Sequence, residues 1–364
     1  MPASAKVFTR TLNMFDWGVE ISGTGGYLPG TKISNQELID RYELDTTDEW
    51  IRENLGIYHR HWAPESVNTS DIAYQAGKEA LDNAGIAASQ LDRIILCTST
   101  GDYLSPATGP IVQHLLGAEC PAEDKSNACA GFIFGLDHGA RLIATGLHHV
   151  LVIGADIKSR FVAKNDYRFL PIFGDGAGAF VLSRANIGNS SANSTASANS
   201  QSEPTLPKSG LLECELWTDG SKARDLYTPA GGSAMAASLQ TVNDDLHTLK
   251  LGVAGQDIVK DATAIMTKMA NKVCAQQGVN PSDVDVFVPH QANFTIIKKV
   301  AKALNISSEK VVVTIDFAAN TVAGTLPFSF HHALTEGRLR SGMLVLMVTV
   351  GAGFSAGAAL YRMP

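Results

Sequence analysis

The feature of this chain that most restricts its fold is an internal duplication. A helix end, a turn and a short apolar strand follow one another over residues 80–96, and the same order returns over residues 273–288. In both segments the helical pattern stops at a glycine, and a Ser-Xaa-Xaa-Asp stretch precedes the apolar run. We interpret the two segments as copies of one folding unit.

A second pair of landmarks gives the offset between the copies. The stretch Asn-Ala-Cys-Ala-Gly at residues 127–131 is echoed by Asn-Thr-Val-Ala-Gly at residues 320–324. The spacing from Gly85 to Asn127 is 42 residues, and the spacing from Gly278 to Asn320 is also 42. Two independent landmarks that share one spacing indicate a true repeat.

Each copy continues into two apolar strands. The strand pairs are residues 150–153 with 174–182, and residues 343–350 with 354–361. Alternating strands and helices predict a mostly parallel sheet in each half, with helices outside it. The predicted fold is therefore a layered α/β protein made of two similar halves packed face to face, residues 1–186 and 210–364.

Between the halves lies an insertion, residues 187–209, that is rich in Ser and Asn. A segment of this composition buries little apolar surface, so we expect a flexible surface insertion. Its Asn-Xaa-Ser/Thr triplets are expected by chance in such a tract, and we assign them no role.

Composition excludes several classes of function. Of 364 residues, 45% are hydrophobic and 18% charged, as in ordinary globular proteins, and the net charge of −7 argues against nucleic acid as the main partner. Five cysteines, an odd number without a Cys-Xaa-Xaa-Cys pair, indicate free thiols in a reducing compartment. Because residues 1–17 contain no continuous apolar core of a signal peptide, we expect a cytoplasmic protein.

One uncharged segment, residues 342–361, is long enough to span a bilayer. It contains several glycines, including a Gly-Ala-Gly break at residues 351–353. We therefore predict two buried strands joined by a turn, and no membrane span.

Cys129 is the first candidate for chemistry. It comes directly before a predicted helix start, where unpaired N–H groups and the helix dipole favour the reactive thiolate. The alternative is a small buried side chain that only packs, which is the commoner role of a free cysteine.

His290 and Asn320 complete a candidate set. His290 ends the apolar run of residues 286–289, at the carboxyl end of a strand, where open α/β sheets bind ligands. Alone, each would more often be a packing or turn residue. However, Cys129 belongs to the first copy and the other two to the second, so we expect them to meet where the halves face each other. A nucleophilic thiol facing two hydrogen-bond donors suits thioester chemistry.

The chain resembles the thiolase superfamily, and most closely β-ketoacyl-acyl-carrier-protein synthase III, over nearly its whole length. The motifs that carry the resemblance are residues 23–29, 48–51, 128–132, 173–179, 289–293 and 320–321. The resemblance implies the thiolase-like fold, with two duplicated βαβαβαββ halves that form an α-β-α-β-α stack. It also implies a homodimer and no metal or redox cofactor.

The resemblance further implies an acyltransferase that performs a decarboxylating Claisen condensation. Cys129 would take the acyl primer, from an acyl-CoA or an acyl carrier protein (ACP). His290 and Asn320 would polarise the malonyl thioester carried by ACP. The backbone N–H groups of Cys129 and Ala352 would form the oxyanion hole. Trp50 matches the residue that stacks on the adenine of coenzyme A, and Phe173 and Asn293, which belong to the matching motifs, are expected to line the substrate site.

Comparison within the superfamily favours this branch. Thiolases carry a second cysteine near the C-terminus, where this chain has Gly351-Ala352-Gly353, and elongating synthases have a histidine where Asn320 stands. Two alternatives stay open. One is a specialised secondary-metabolism relative that uses a long-chain or β-ketoacyl partner, or transfers the acyl group to oxygen or nitrogen without decarboxylation. The other is a non-catalytic acyl-binding partner.

Several positions depart from the family pattern and bear on the substrate. Asn54 and Thr295 stand where the family usually has basic residues, and Arg168 is one residue out of register with a further adenine contact. These losses would weaken coenzyme A binding unless a nearby cation compensates. The candidates for compensation are Arg52, Arg60 and Lys298.

Two other features concern chain length and the carrier protein. Ser105 replaces a bulky aromatic residue that closes the partner's acyl tunnel in short-chain enzymes, so we expect a longer or differently shaped primer than acetyl. Lys298, Lys299 and Lys302 follow Asn293 on one predicted helix and could dock an acidic ACP, although a merely solvated helix face explains them almost as well. The pairs His148-His149 and His331-His332 are interpreted as structural, because adjacent residues on a helix diverge.

Overall fold

The computed structural model describes residues 18–185 and 209–364. The strands are β1 (Val19–Tyr27), β2 (Lys32–Ser34), β3 (His59–His61), β4 (Arg93–Cys97), β5 (Ala122–Lys125), β6 (His149–Asp156), β7 (Gly176–Arg184), β8 (Gly210–Thr218), β9 (Leu226–Tyr227), β10 (Lys250–Leu251), β11 (Val286–Pro289), β12 (Leu344–Gly351) and β13 (Ser355–Arg362). The α-helices are α1 (Asn35–Tyr42), α2 (Asp48–Leu55), α3 (Thr69–Ala84), α4 (Gly109–Leu116), α5 (Gly131–Ala144), α6 (Leu239–Asn243), α7 (Gly255–Gln276), α8 (Phe294–Ala303), α9 (Ile315–Ala318) and α10 (Thr325–Thr335).

The two halves build sheets of the same topology. The first sheet has the order β1-β7-β6-β4-β5, and the second has the order β8-β13-β12-β11. Parallel pairing joins β4 to β6 and β11 to β12, whereas the other neighbours of β6 and β12 are antiparallel. The second half has no full counterpart of β5 among the described residues; a single parallel bridge between Phe287 and Val311 stands there.

Side chains on successive strand positions alternate between two cores, as the period of a strand requires. In β12, Val345 and Met347 face the core between the sheets, whereas Leu346 and Val348 face the core beneath α7 and α8. The helices α5 and α10 fill the space between the sheets, and α3 and α4 cover the outer face of the first sheet. The order of layers is α-β-α-β-α, which confirms the predicted fold.

The repeat is visible in the backbone, but the equivalence at the second landmark differs by one residue from the sequence match. Ala128 and Val322 both have left-handed φ, 47° and 55°. In each half a backbone hydrogen bond closes the turn around this left-handed residue. Around Ala128, the Ala130 N–H donates to the Asn127 carbonyl, and around Val322, the Gly324 N–H donates to the Thr321 carbonyl. Cys129 is therefore equivalent to Ala323, and not to Val322 as the sequence match indicates.

The uncharged segment forms the antiparallel strands β12 and β13, joined by a tight turn, as predicted. Within residues 18–185 and 209–364, we find no helix with both the length and the apolar character needed to cross a bilayer. The first sheet draws its strands from residues 19–184 and the second from residues 210–362, and on that ground we propose to divide the halves at residues 186 and 210. The insertion between them lies, apart from Ser209, outside the described residues.

Candidate active site

Cys129 lies in a single 3₁₀ turn, Ala128–Ala130, that leads directly into α5. The left-handed conformation of Ala128 lets the turn fold back against the second half, where the Thr349 hydroxyl donates to the Cys129 carbonyl at 3.0 Å. The residue as a whole is partly exposed, but its sulfur is buried, and it packs beside a cluster that includes Phe169, Phe173 and Val322. The nucleophile candidate thus lies at the junction of the two halves.

The pocket does not favour the thiolate at rest, contrary to expectation from the helix start alone. Burial of the sulfur, followed by the negative charge of Asp156, raises the pKa of the Cys129 thiol to about 12. The positive charge of Lys158 and a hydrogen bond from the Asn320 side chain act in the opposite direction. Desolvation outweighs the helix start, so the resting group is a neutral thiol.

His290 follows β11 directly, and its N–H donates to the Val348 carbonyl at 2.8 Å. The residue is 1% exposed, and this burial lowers the pKa of the imidazole to about 3. Its Nδ1 atom lies 2.6 Å from the hydroxyl oxygen of Thr325. The ring is therefore neutral at physiological pH and is held through Nδ1.

Asn320 is held in one amide orientation. The Val322 N–H donates to Asn320 Oδ1 at 2.9 Å, which fixes the amide, and the Asn320 side chain lies near enough to Cys129 to lower the pKa of its thiol. Its backbone pairs with the segment around Phe173, through Asn320 N–H to Ile172 carbonyl at 3.0 Å and Gly174 N–H to Asn320 carbonyl at 3.1 Å. The structure thus brings a side chain of the second half into contact with the thiol of the first.

The backbone around Asn320 is strained. Ala319 and Val322 both have positive φ, 56° and 55°, although neither is glycine and Val322 is β-branched. Left-handed conformations of such residues persist only where the surrounding structure imposes them, and they are common at active sites. The strain therefore coincides with the residue whose side chain touches the thiol.

Gly351 brings the end of β12 close to the expected oxyanion hole at Cys129. Gly351 ends β12 so close to the Cys129 turn that a Cβ atom there would lie 2.9 Å from the Cys129 nitrogen. No oxygen of the described residues accepts from the Cys129 N–H. Ala352, in the adjacent turn, does not have positive φ, so its side chain introduces no left-handed strain. Whether these two N–H groups bind an oxyanion stays a prediction.

Trp50, Asn54 and Thr295 lie together where α2 meets α8. Trp50 is 40% exposed. The Asn54 amide donates to the Trp50 carbonyl at 2.9 Å, and the Thr295 hydroxyl donates to the Asn54 carbonyl at 3.2 Å. The two residues that replace the family's basic side chains are thus engaged with this short segment of backbone.

The three candidates for compensating cations differ in availability. Arg60 is fully buried and donates to Asn35 Oδ1 at 2.6 Å, so it cannot reach a ligand at the surface, and its candidacy was wrong. Arg52 is half-exposed, pairs with Asp48 at 2.5 Å, and lies over the Tyr58 ring. Lys298 is exposed, with its ammonium 4.7 Å from the Phe294 ring centre. Arg52 and Lys298 therefore remain as candidate cations for a ligand bound at Trp50.

The other candidate substrate residues fall in different places. Phe173 is buried, forms a bridge with Asn320 and packs in the cluster that touches Cys129. Asn293 is the N-cap of α8, with Oδ1 accepting from the Ile296 N–H at 2.8 Å. Arg168 is exposed and engaged by Asp166 at 2.8 Å, and Ser105 is exposed in the loop before α4. Only Phe173 lies directly against the catalytic candidates.

The three lysines of α8 are all exposed. Lys299 shares a surface groove between α7 and α8 with Lys260.

Of the histidine pairs, His149 contacts the Ser183 hydroxyl at 2.9 Å and His331 contacts the Thr24 hydroxyl at 2.9 Å, so both engage the first sheet. Their role stays structural in our interpretation.

Sequence reasoning missed three residues that shape this site. Asp156 ends β6 and accepts from the Ala323 N–H at 3.0 Å, Thr325 contacts His290, and Val322 contacts Asn320. The position of Asp156 at the carboxyl end of an apolar strand was a usable signal. Val322 offered none, because a valine in a left-handed conformation contradicts its intrinsic preference.

The fold and this site define the class of the protein as a thiolase-like condensing enzyme, an acyltransferase. Residues 124–201 match the family model described as 3-oxoacyl-[acyl-carrier-protein (ACP)] synthase III, and residues 274–363 match its C-terminal model. A β-ketoacyl-[acyl-carrier-protein] synthase III of Syntrophomonas wolfei is 39% identical over 94% of this chain and 97% of its own length. The chain belongs to the 3-oxoacyl-ACP synthase III family.

Solved structures give the same result. The 3-oxoacyl-[acyl-carrier-protein] synthase III of Aquifex aeolicus is 34% identical and superposes with a TM-score of 0.81, over 94% of this chain and 99% of its own. The priming β-ketosynthase of the R1128 polyketide pathway is 25% identical with a TM-score of 0.81, over 95% and 96%. An enzyme of a polyketide pathway is therefore among the similar structures.

Proposed function

We propose that this chain condenses an acyl thioester primer with a malonyl thioester, through an acyl group carried on Cys129. The observation that supports this most directly is the closeness of the Asn320 side chain, in the second half, to the Cys129 thiol, in the first: Asn320 lowers the pKa of that thiol, and Val322, whose N–H binds Asn320 Oδ1, packs in the cluster that contacts Cys129. It puts a donor of the second half next to the atom on which the primer would be carried. This role for the three residues follows the family and is our proposal for this chain.

In the first step, His290 Nε2 accepts the proton of the Cys129 thiol as the sulfur attacks the acyl carbonyl carbon. The bond to the donor thiol breaks, and the departing thiolate takes a proton from water. Because the pKa values favour neutral imidazole and neutral thiol at rest, the proton moves only as the attack proceeds. The N–H groups of Cys129 and Ala352 hold the transient oxyanion.

In the second step, the malonyl thioester loses carbon dioxide, and the electron pair of the broken carbon–carbon bond forms an enolate. The negative charge of the bound malonyl group and of the developing enolate raises the pKa of His290 above its resting value, so the ring keeps its proton in this step. Asn320 Nδ2–H and the protonated His290 Nε2–H donate to the enolate oxygen. The enolate carbon attacks the acyl carbon on Cys129, and the thiolate that leaves recovers its proton from His290. The reaction consumes one proton overall and yields a 3-ketoacyl thioester.

The test is acylation of the purified protein by a panel of acyl-CoA and acyl-ACP donors, followed by peptide mapping. We expect one acyl adduct, on Cys129, that malonyl-ACP discharges with release of carbon dioxide. Cys129→Ala should give no adduct, while Cys120→Ala, at a partly exposed cysteine outside the site, should behave like the wild type. An adduct elsewhere, or none with any donor, contradicts the proposal. An adduct that malonyl-ACP never discharges favours a non-catalytic partner.

The specialised alternative has specific observations in its favour. Asn54 and Thr295 carry no charge. The Asn54 side chain donates to the Trp50 carbonyl, and the Thr295 side chain donates to the Asn54 carbonyl. Charge for the phosphates of coenzyme A would have to come from Arg52 and Lys298. A donor other than an acyl-CoA, such as an acyl-ACP, would need fewer cations at this surface. Transfer of the Cys129 adduct to oxygen or nitrogen nucleophiles without carbon dioxide release would select that alternative.

We also propose a homodimer in the cytoplasm, with ACP as a transient partner. Tyr103 and Leu104 are 65% and 95% exposed in the loop that contains Ser105, and β5 is an edge strand of the first sheet. Exposed apolar side chains and an open strand edge each suit an interface between copies. All five cysteines are free thiols, which fits a reducing compartment.

A further inference from the structure

A single left-handed residue connects the two polar side chains that the second half contributes. Val322 donates its N–H to Asn320 Oδ1 at 2.9 Å, and its carbonyl accepts from the Thr325 hydroxyl at 2.7 Å. The same Thr325 oxygen lies 2.6 Å from His290 Nδ1. His290, Thr325, Val322 and Asn320 therefore form one continuous chain of hydrogen bonds, and all four residues are buried.

The number of protons determines the direction of this chain. A carbonyl oxygen can only accept, so the contact with Val322 uses the one proton of the Thr325 hydroxyl. The Thr325 oxygen must then accept from His290, and Nδ1 must carry the proton. With Nδ1 protonated in a neutral ring, the lone pair is on Nε2. The opposite tautomer would leave two oxygens 2.7 Å apart without a proton between them.

The first half shows that the fold itself does not require this chain. Ala128 is the equivalent of Val322 and shares its left-handed φ, so the backbone turn is the same. At the position equivalent to Thr325, however, the first half has Gly131, which begins α5 as Thr325 begins α10. Gly131 has no hydroxyl to offer. The chain is present only in the half that holds His290 and Asn320.

We propose that Thr325 is a positioning residue that fixes His290 in the Nδ1–H tautomer and ties it, through the left-handed Val322 peptide, to Asn320. This inference rests on the proposed function and refines the role of His290. The ring then presents a base to the thiol in the first step. After it has taken the proton, its Nδ1–H still donates to Thr325 while Nε2–H donates to the enolate oxygen. One fixed orientation serves both steps, as in other base–orienter pairs.

The test compares Thr325→Ser, which keeps the hydroxyl, with Thr325→Val, which keeps the size and removes it. In long-range ¹H–¹⁵N spectra of protein labelled at histidine, the His290 signal is identified among the ten histidines by its loss in His290→Gln. We expect the Nδ1–H tautomer in the wild type and in Thr325→Ser, and a changed tautomer population in Thr325→Val. The kcat of Thr325→Val should fall between about 10-fold and about 100-fold with little change in KM, whereas Thr325→Ser stays within about threefold of the wild type.

A wild-type Nε2–H tautomer overturns the inference, and so does a Thr325→Val variant that keeps both its tautomer and its kcat. Thermal unfolding of each variant separates loss of the fold from loss of orientation. The spectrum requires no activity, so it also separates this inference from the proposed function. A protein with the Nδ1–H tautomer that never acylates Cys129 would refute the function and leave the tautomer assignment standing.

Discussion

Asp156 and Gly351 occupy equivalent positions in the two halves, but only Asp156 has a side chain that accepts a hydrogen bond from the N–H group facing it. Asp156 lies six residues after Val150, and Gly351 lies six residues after Val345; Val150 and Val345 have equivalent partners in β4 and β11. The Asp156 carboxylate accepts from the Ala323 N–H, the counterpart of the Cys129 N–H. Gly351 has no side chain, so the Cys129 N–H stays open.

The duplicated fold has thus been used asymmetrically. In one half the turn at the sheet end is filled by a buried carboxylate, which also accepts from the Ser99 N–H and the Thr100 hydroxyl, each at 2.9 Å. In the other half Gly351 has no side chain, and no oxygen of the described residues accepts from the Cys129 N–H. The pseudo-twofold arrangement supplies two similar turns that differ by one side chain, and we propose that this difference reserves the turn at Cys129 for an oxyanion.

Gly351→Ala should impair acylation strongly. The added Cβ would lie 2.9 Å from the Cys129 nitrogen and 2.7 Å from the Ala130 nitrogen, so it would displace or cover the open N–H. Loss of one oxyanion donor typically lowers kcat by about 100-fold to about 1,000-fold. The rate of acyl-Cys129 formation, followed by mass spectrometry, measures this. Gly220→Ala, where nothing lies within 4 Å, is the matched control and should keep the wild-type rate; equal rates for both variants would contradict the oxyanion assignment.

His290 should make the folded protein sensitive to acid. Its pKa is lowered from 6.5 to about 3, so the unfolded chain binds a proton that the folded chain rejects, and stability is lost as pH falls below about 6.5. By pH 5 this single group should remove about 2 kcal/mol of the free energy of unfolding. Urea unfolding at pH 7 and pH 5 measures the loss, which should be smaller by that amount in His290→Gln. Equal losses in the two proteins would show that the ring titrates normally.

Charge reversal on α8 should weaken the use of carrier-linked malonate. The exposed Lys299 and Lys302 would attract an acidic ACP, so Lys299→Glu with Lys302→Glu should raise KM for malonyl-ACP several-fold and leave kcat nearly unchanged. Steady-state kinetics at low and high salt provide the measurement, with the effect shrinking at high salt. Arg340→Glu is the control. Arg340 lies before the start of β12, whereas Gly351 lies at the other end of that strand. An unchanged KM would place the carrier elsewhere.

Ser105→Phe should shorten the range of accepted primers. Ser105 is small and exposed beside Leu104. The family resemblance implies that an aromatic residue at this place would close the partner's acyl tunnel. We expect the variant to lose activity with medium-chain donors and to keep it with acetyl donors, as measured by Cys129 acylation across chain lengths. Ser105→Ala should behave like the wild type. Full medium-chain activity in Ser105→Phe would remove the tunnel hypothesis.

Much of the fold followed from local patterns. The helix ends at Gly85 and Gly278, which have φ of 65° and 66°, were readable from residue type and spacing. The alternation of Val345, Leu346 and Met347 between two cores was not, because all three residues are apolar. The one-residue error at the second landmark has a physical cause. Matching Asn127 to Asn320 relied on residue identity, whereas the backbone superposes Asn127 on Thr321, because the turn geometry starts one residue later in the second half.

The sequence by itself determined the duplicated α/β architecture and the candidate trio of Cys129, His290 and Asn320, because periodicity and motif order are properties of neighbouring residues. Only the tertiary structure showed that burial raises the pKa of the Cys129 thiol and that Arg60 is fully buried. It also showed that Thr325 and Val322 link His290 to Asn320 through hydrogen bonds. Those results depend on burial and on hydrogen bonds between segments far apart in the chain, and desolvation is a property of the packed surroundings of a group.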